Sequence, residues 1–383
     1  MVVKLGVGKQ LLFPLTSPPS KPMPEPDPKL IAKAVSYGDR EIVVTIPFPD
    51  TVELLCPILN DLLEVADLSG KPAKQTYNEL DQDIKASLPE VKMGLPATMS
   101  GSFNKQLTKA TFYVQYDPAQ PLNRARITLA RRQKEELPSW TVKLEFSPSK
   151  AGAAGLVQLT SALQIILPYV NIQKLLAAFR VARLDAAIDL LGATPLDLIA
   201  HVPKPGKRQV FVGSHGRPET VYFYEQKSPL KVPPSTISSV KTVGPQRLTL
   251  YERRDYHLQL LLEPPYGACP VTRAEVTKRW KKGRPALSDL PTLGNMFKGR
   301  RIAYAAAVPT KATKPWRQFC LATFGAGLDK SFWSWLPGPA GEFEGLYRDC
   351  VGDLVEESCW EAWQDGLDQT GLSSWIKADP SAK

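Results

Sequence analysis

The chain has 383 residues, 43% of them apolar and 22% charged, which is enough for a sizeable core and too long for one small module. Its apolar runs stop short of the roughly 18 to 20 residues that cross a bilayer, and no N-terminal stretch combines a basic start, an apolar run and a small-residue cleavage site, so a soluble cytoplasmic protein without membrane contact is expected. Five cysteines without C-x-x-C spacing argue against a disulfide framework or zinc cluster, and three histidines (His201, His215, His257) leave little room for histidine-based metal sites or acid-base chemistry.

Seven prolines fall in the first thirty residues, four of them as Pro22-x-Pro24-x-Pro26-x-Pro28, a composition that favours extended, solvated chain. Residues 1–40 therefore read as a flexible arm. Residues 41–104 read as an N-terminal α/β segment, with a strand over Glu41 to Pro49 and helices over Thr51 to Ala66 and Leu80 to Leu88. Three strands follow, Ala110 to Tyr116, Ala125 to Ala130 and Trp140 to Phe146, separated by polar turns. Leu156, Leu159, Leu163 and Ile166 have helical spacing, Pro168 interrupts, and a second helix is expected over Ile172 to Phe179.

Four later segments alternate polar and apolar residues and so read as half-buried strands. In Arg183-Leu-Asp-Ala-Ala-Ile-Asp-Leu190, Asp185 and Asp189 share one face, roughly 13 Å apart at about 3.3 Å per residue, too far to ligate one ion directly. Thr220 to Lys227 puts Thr220, Tyr222 and Tyr224 on one face, Arg247 to Arg253 does the same for Arg247, Thr249, Tyr251 and Arg253, and Val271 to Thr277 for Arg273 and Glu275. The resulting expectation is an α+β fold: antiparallel sheets with helices packed on one face, and acids, arginines and tyrosine on the open face. Such a face suits metal-assisted phosphate chemistry. Glu275, Asp189 and Asp185 are oxygen ligands of the kind Mg2+ or Mn2+ prefers, Arg253 or Arg273 can support developing charge, and a tyrosine needs a cation or base beside it to become a nucleophile.

Charge is concentrated. Between Pro270 and Arg317 there are twelve Lys or Arg against Glu275 and Asp289 alone, which equals the whole formal excess of +10. Lys278, Arg279, Lys281, Lys282, Arg284, Arg300 and Arg301 are the expected phosphate contacts, and Arg124, Arg126, Arg131, Arg132 and Lys134 form a second basic stretch. By contrast Glu342 to Asp368 carries nine acids and one base, so residues 318–383 read as a Trp-rich, acidic helical unit, with Val351, Leu354 and Val355 at helical spacing.

The succession Arg183-Leu-Asp-Ala-Ala-Ile-Asp189, Thr220-Val-Tyr-Phe-Tyr-Glu-Gln-Lys-Ser228, Leu248-Thr-Leu-Tyr-Glu-Arg253 and Val271-Thr-Arg-Ala-Glu-Val276 resembles the replication initiation factors of rolling-circle plasmids and filamentous phages. The resemblance spans roughly residues 105 to 282, within an expected initiator core over 105–317. It implies metal-dependent nicking of one strand of origin DNA, a 5′-phosphotyrosine intermediate, and double- and single-stranded DNA as partners, with a host helicase or polymerase as a further one. No small-molecule cofactor is implied. Tyr251 matches the family's tyrosine, and Asp189 and Glu275 its acidic positions. Two departures stand out: Arg253 replaces the family's Lys, and Tyr224-Glu225 stands where a Gly-Ser pair is usual, which leaves Tyr224 as a second candidate nucleophile. The alternative reading is a basic DNA-binding protein with an organising or regulatory role and no catalysis.

Overall fold

The computed structural model describes residues 27–37, 40–58, 62, 73–116, 123–134, 137–168, 170–202, 205–212, 218–225, 246–253, 266, 269–304, 353–355 and 357–377. The prolines before Asp27, the loop over 229–244, His215, His257, Cys320 and Cys350 lie outside them. Among the described residues the strands are β1 (Ile31–Tyr37), β2 (Arg40–Thr45), β3 (Phe48–Ile58), β4 (Met99–Phe103), β5 (Lys109–Gln115), β6 (Arg124–Lys134), β7 (Leu137–Phe146), β8 (Arg180–Leu191), β9 (Leu198–His201), β10 (Pro205–Val212), β11 (Pro218–Glu225), β12 (Gln246–Glu252), β13 (Val271–Arg279), β14 (Arg301–Tyr304) and β15 (Asp353–Val355). The α-helices are α1 (Ala73–Met93), α2 (Pro148–Ile166), α3 (Ile172–Ala178), α4 (Trp363–Gln369) and α5 (Leu372–Ile376). The fold is α+β and mostly antiparallel sheet. No described helix is long and apolar enough to cross a membrane.

Twelve strands form one sheet in the order β10-β11-β12-β13-β8-β3-β7-β6-β5-β4, with β2 pairing the end of β8 and β1 pairing β2. The expected boundary near residue 104 is therefore not a break in the structure, since β3 lies between β7 and β8. One face of the sheet is apolar across its width. Val52 faces Phe146 and Leu184, Leu144 faces Ile127, and Ile127 faces Phe112; all are buried. Against this face pack Leu156, Leu159, Leu163 and Ile166 of α2 and Leu175 and Leu176 of α3, in the helical spacing legible in the sequence.

Three expectations are corrected. The segment from Thr51, read as a helix, is strand β3: Val52, Leu54, Cys56 and Ile58 are buried while Thr51, Glu53, Leu55 and Pro57 are less so, a period of two rather than 3.6. Ile31–Tyr37, assigned to the arm on composition, pairs with β2. Leu354 and Val355, placed on a helix by spacing, belong to β15, which pairs with β14.

The described part of the acidic C-terminal region is built into the main core. Trp363 is 2% exposed and donates from Nε1 to the Leu290 carbonyl at 2.8 Å, and the Trp375 ring lies 5.4 Å from that of Phe146. Gly366 marks the tightest approach. A Cβ there would lie 1.9 Å from the Pro47 carbonyl oxygen and 2.9 Å from its carbon, backbone atoms of the β2–β3 turn that have no rotamer to retreat into. Gly366→Ala is thus expected to lower stability by at least the roughly 1–3 kcal/mol typical of overpacking, visible as a lower melting temperature. An unchanged melt would show that α4 does not dock at that turn.

Candidate active site

On the other face, the registers of β8, β13, β12 and β11 build a lattice. Residues directly opposite in antiparallel strands share a face, so Asp189, Arg273, Tyr251 and Thr220 form one row. Ala187, Glu275, Thr249 and Tyr222 form the next, and Asp185, Thr277, Arg247 and Tyr224 the third. Tyr224 enters this lattice two rows from Tyr251.

The lattice is not open at its centre. Asp185 and Asp189 are each 1% exposed, Arg273 2% and Glu275 7%, whereas Tyr251 and Arg253 are partly buried. Arg273 grips Asp189 with both ends of its fork, Nε to Oδ1 at 2.7 Å and Nη2 to Oδ2 at 2.8 Å, and its Nη1 donates to Asp50 Oδ1. Its guanidinium also lies 4.9 Å from the centre of the Phe48 ring. Asp50 reaches it because the β3–β8 register shifts between Pro49 and Thr51, a bulge that re-aims the Asp50 side chain. Arg253 Nη1 adds a bond to Asp189 Oδ2 at 2.6 Å, and the Asp189 N–H donates to Thr45 Oγ1 at 2.9 Å. Asp185 is held by Arg183, two residues earlier on the same face, through both Nε and Nη2.

These pairings set the protonation states. Burial works to raise the Asp189 carboxyl, but Arg273 and Arg253 overcome it and hold it at about 2. Burial first, then the Asp185 and Asp50 carboxylates, push Glu275 up to about 8 against the pull of Arg183 and Arg247. Burial likewise lifts the Tyr251 phenol well above its ordinary value, with Arg273 and Arg253 acting in the opposite direction.

Of the expected metal ligands, Asp189 and Asp185 do not fit a cation in this arrangement, because arginine donors meet both oxygens of each. Glu275 is different: its contacts are a 3.4 Å bond from Thr277 Oγ1 and Arg247 Nη2 at 3.9 Å. Among the described residues no three His, Cys, Asp or Glu side chains group as a cation site. Of the three expected ligands only Glu275 has no arginine donor within hydrogen-bond distance. Arg273, expected to support a phosphate, is instead enclosed and committed to two carboxylates; Arg253, with 15% of its side chain exposed, lies nearer the rim.

The expected DNA contacts divide too. Lys281, Lys282 and Arg284 are exposed on the bend after β13, and Lys278 lies 4.9 Å over the Trp280 ring. Arg300 is 5% exposed and donates from Nη1 to the Met296 carbonyl, so it braces a turn instead of facing solvent. Arg301 enters β14 opposite His201. In the second basic stretch, Arg126 pairs with Glu145 and Arg131 with Asp81. Sequence reading missed Asp50, Phe48 and Arg247 as parts of the site. Asp50 had no periodic signal because it occupies a bulge, and Arg247 was named only as one of several residues on a strand face.

No family model matches the chain, and no curated protein matches it. Among solved structures, the di-domain ARO/CYC StfQ from the steffimycin biosynthetic pathway is 12% identical, with 66% of this chain and 88% of that one covered, at a TM-score of 0.14. A likeness of that degree carries no argument about fold or chemistry.

Two stability predictions follow from the pairings. Asp189→Ala strands Arg273 and Arg253 beside a single remaining carboxylate, Asp50, and is expected to cost roughly 3–5 kcal/mol in denaturant unfolding at pH 7. Because Asp189 sits at about 2 when folded against 3.8 ordinarily, its contribution is present above about pH 4 and is lost as pH falls through 2. Glu275 has the opposite sign. Raised from 4.5 to about 8, it favours the folded state below 4.5 and penalises it progressively as pH rises through 8. Glu275→Gln should therefore be stabilising relative to wild type at pH 9 and close to neutral at pH 4.5; equal differences at both pH values would show that Glu275 is not raised.

Proposed function

We propose that the protein is a rolling-circle replication initiator that binds an origin and nicks one DNA strand through Tyr251, forming a 5′-phosphotyrosine. The observation that carries this reading is the row Asp189–Arg273–Tyr251, in which the one partly buried phenol of that row is bordered by the Arg273 and Arg253 guanidiniums. In the reaction the Tyr251 Oη–phosphorus bond forms as the bond from phosphorus to the 3′ oxygen breaks. The phenol proton leaves, and the 3′ oxygen takes a proton from water. Arg253, at the rim, is the guanidinium positioned to face the non-bridging oxygens, while Arg273 fixes the carboxylate that orients Arg253. Glu275 is the diagonal neighbour of Tyr251 across β12 and β13, suited to accept the phenol proton or to hold a divalent cation, and both tasks need its ionised form. Mg2+ or Mn2+, when bound, supplies charge neutralisation at the phosphate.

A second reading, a DNA-binding protein without catalysis, draws support from the saturation of Asp189 and Asp185 by arginine and from the raised phenol. The two part on one experiment: supercoiled plasmid bearing the cognate origin, incubated with protein and Mn2+ or Mg2+, should yield open circles with protein attached.

Tyr251→Phe is expected to abolish the adduct and nicking while leaving DNA affinity within about twofold, because the ring and the basic surface remain. Tyr224→Phe should retain nicking; the reverse pattern transfers the nucleophile to Tyr224, and activity in both variants removes the covalent mechanism. Adduct formation should also rise with pH through about 8 as Glu275 ionises, and Glu275→Gln should remove that limb.

A further inference from the structure

Beyond the lattice rows that hold Tyr251 and Glu275, two more arginines lie on the same face. In the last rung of β8 and β13, Arg183 is directly opposite Arg279, a like-charge pairing that destabilises a bare sheet. Arg183 is neutralised by its grip on Asp185; among the described residues Arg279 makes no ion pair, and Arg247 has only the long approach to Glu275. Arg247, one rung away opposite Thr277, has Nη2 at 3.5 Å from Thr277 Oγ1 and at 3.9 Å from Glu275, beyond hydrogen-bond reach of that carboxyl. Among the described residues, the Nε–H groups of Arg247 and Arg279 are both buried without a hydrogen-bond partner. A buried donor left unmade costs roughly 1–3 kcal/mol, and more when charged, so two on neighbouring guanidiniums call for an acceptor from outside the chain.

We infer that Arg247 and Arg279 form an anion subsite for a backbone phosphate of single-stranded DNA, held apart from the phosphate that Tyr251 would attack. This inference rests on the nicking reading for its geometry but not for its chemistry. Guanidinium forks match phosphate oxygens, and each carries an Nε–H with nothing else to meet. The Arg247 guanidinium carbon lies over the Tyr222 ring, 4.7 Å from its centre, a contact that helps hold the group in place. Tyr222 also offers π-surface of the kind on which unpaired bases stack. Four residues along β12 separate Tyr251 from Arg247, roughly 13 Å, or about four nucleotides of stacked strand and fewer if the strand is extended. The track continues past Arg279 to the exposed Lys281 and Lys282. Other anions are disfavoured nearby because Glu53, opposite Arg183, and Asp185 both face this end, so a ligand must be drawn by fork geometry and stacking as well as by charge.

The test measures binding of a fluorescent oligothymidylate by anisotropy over a salt series, with inorganic phosphate as competitor, for wild type, Arg247→Gln, Arg279→Gln, Arg247→Lys and Arg279→Lys. Each Gln variant is expected to bind roughly tenfold more weakly and to lower the salt slope by about 0.7, the value for one single-strand phosphate contact. Each Lys variant should keep the slope yet lose affinity, because the charge stays and the fork goes; it also serves where a Gln variant fails to fold. Wild-type affinity and slope in the Gln variants, or full affinity in the Lys variants, overturns the inference. Phosphate competition that is lost in the variants while oligothymidylate binding is unchanged would assign the subsite to a free anion and overturn the DNA assignment. Adduct formation on origin plasmid is scored separately. Weakened binding in the Gln variants with no wild-type adduct leaves the subsite standing and removes the nicking reading, whereas an adduct with unaltered binding does the reverse.

Discussion

Arg273 is the constraint on which the rest of this face depends. Enclosing a guanidinium to 2% exposure carries a desolvation penalty of several kcal/mol, and it is offset only by well-made bonds. Here three of its nitrogens meet Asp189 and Asp50, and an aromatic ring closes one side. The partners come from β8 and from β3 with its bulge, so one side chain of β13 ties together three strands that are distant in sequence. Slipping β13 against β8 by one residue would send Arg273 to the apolar face, beside the buried Ile188 or Leu190. The ion network therefore specifies the register that the hydrophobic alternation also demands.

Counting charge outward from Arg273 divides the face into two regions. Asp189 and Asp50 balance Arg273 and Arg253, and Asp185 balances Arg183. Glu275 lies between these settled pairs, close enough to Asp185 and Asp50 that ionising it adds a third negative charge to a dry site, and its proton is retained until about pH 8. With Glu275 neutral, Arg247 and Arg279 keep a positive excess at the end of the lattice where the exposed Lys281 and Lys282 begin. One region is a rigid, neutral frame. The other is where the proposed chemistry and the proposed anion contact both fall.

Much of this was legible in the sequence. Alternation over Arg183 to Leu190, Arg247 to Arg253 and Val271 to Thr277 gave the strands and the residues that share a face, because a period of two leaves few alternatives in a segment with both polar and apolar members. The failures have physical causes. In Val52 to Ile58 the less buried positions include Leu55, half-buried, and Pro57, exposed, which blurs the polar set and lets the run pass for a helix. Which acid pairs with which base could not be read at all. Asp50 lies 223 residues from Arg273, and nothing local to either distinguishes a buried partner from a solvated one. Hence Asp189 read as a metal ligand when arginine donors fill it, and Arg300 read as a DNA contact when it is buried under a turn.

The raised phenol of Tyr251 is better understood with this division than as an obstacle to reactivity. A tyrosine already ionised beside two guanidiniums would form a third ion in a region whose charges are matched, and would compete with Asp189 for Arg253. Kept neutral by burial, it leaves the Arg253–Asp189 pair intact in the resting protein. Under the proposed reaction a phosphodiester would change that balance, since its negative charge would draw Arg253 away from Asp189 while Arg273 stays bound to it. Under the proposed nicking reaction, activation of the hydroxyl would be tied to occupancy by substrate: the frame built on Arg273 would stay fixed, and Arg253, Tyr251 and Glu275 would be the groups whose charge and pairing respond.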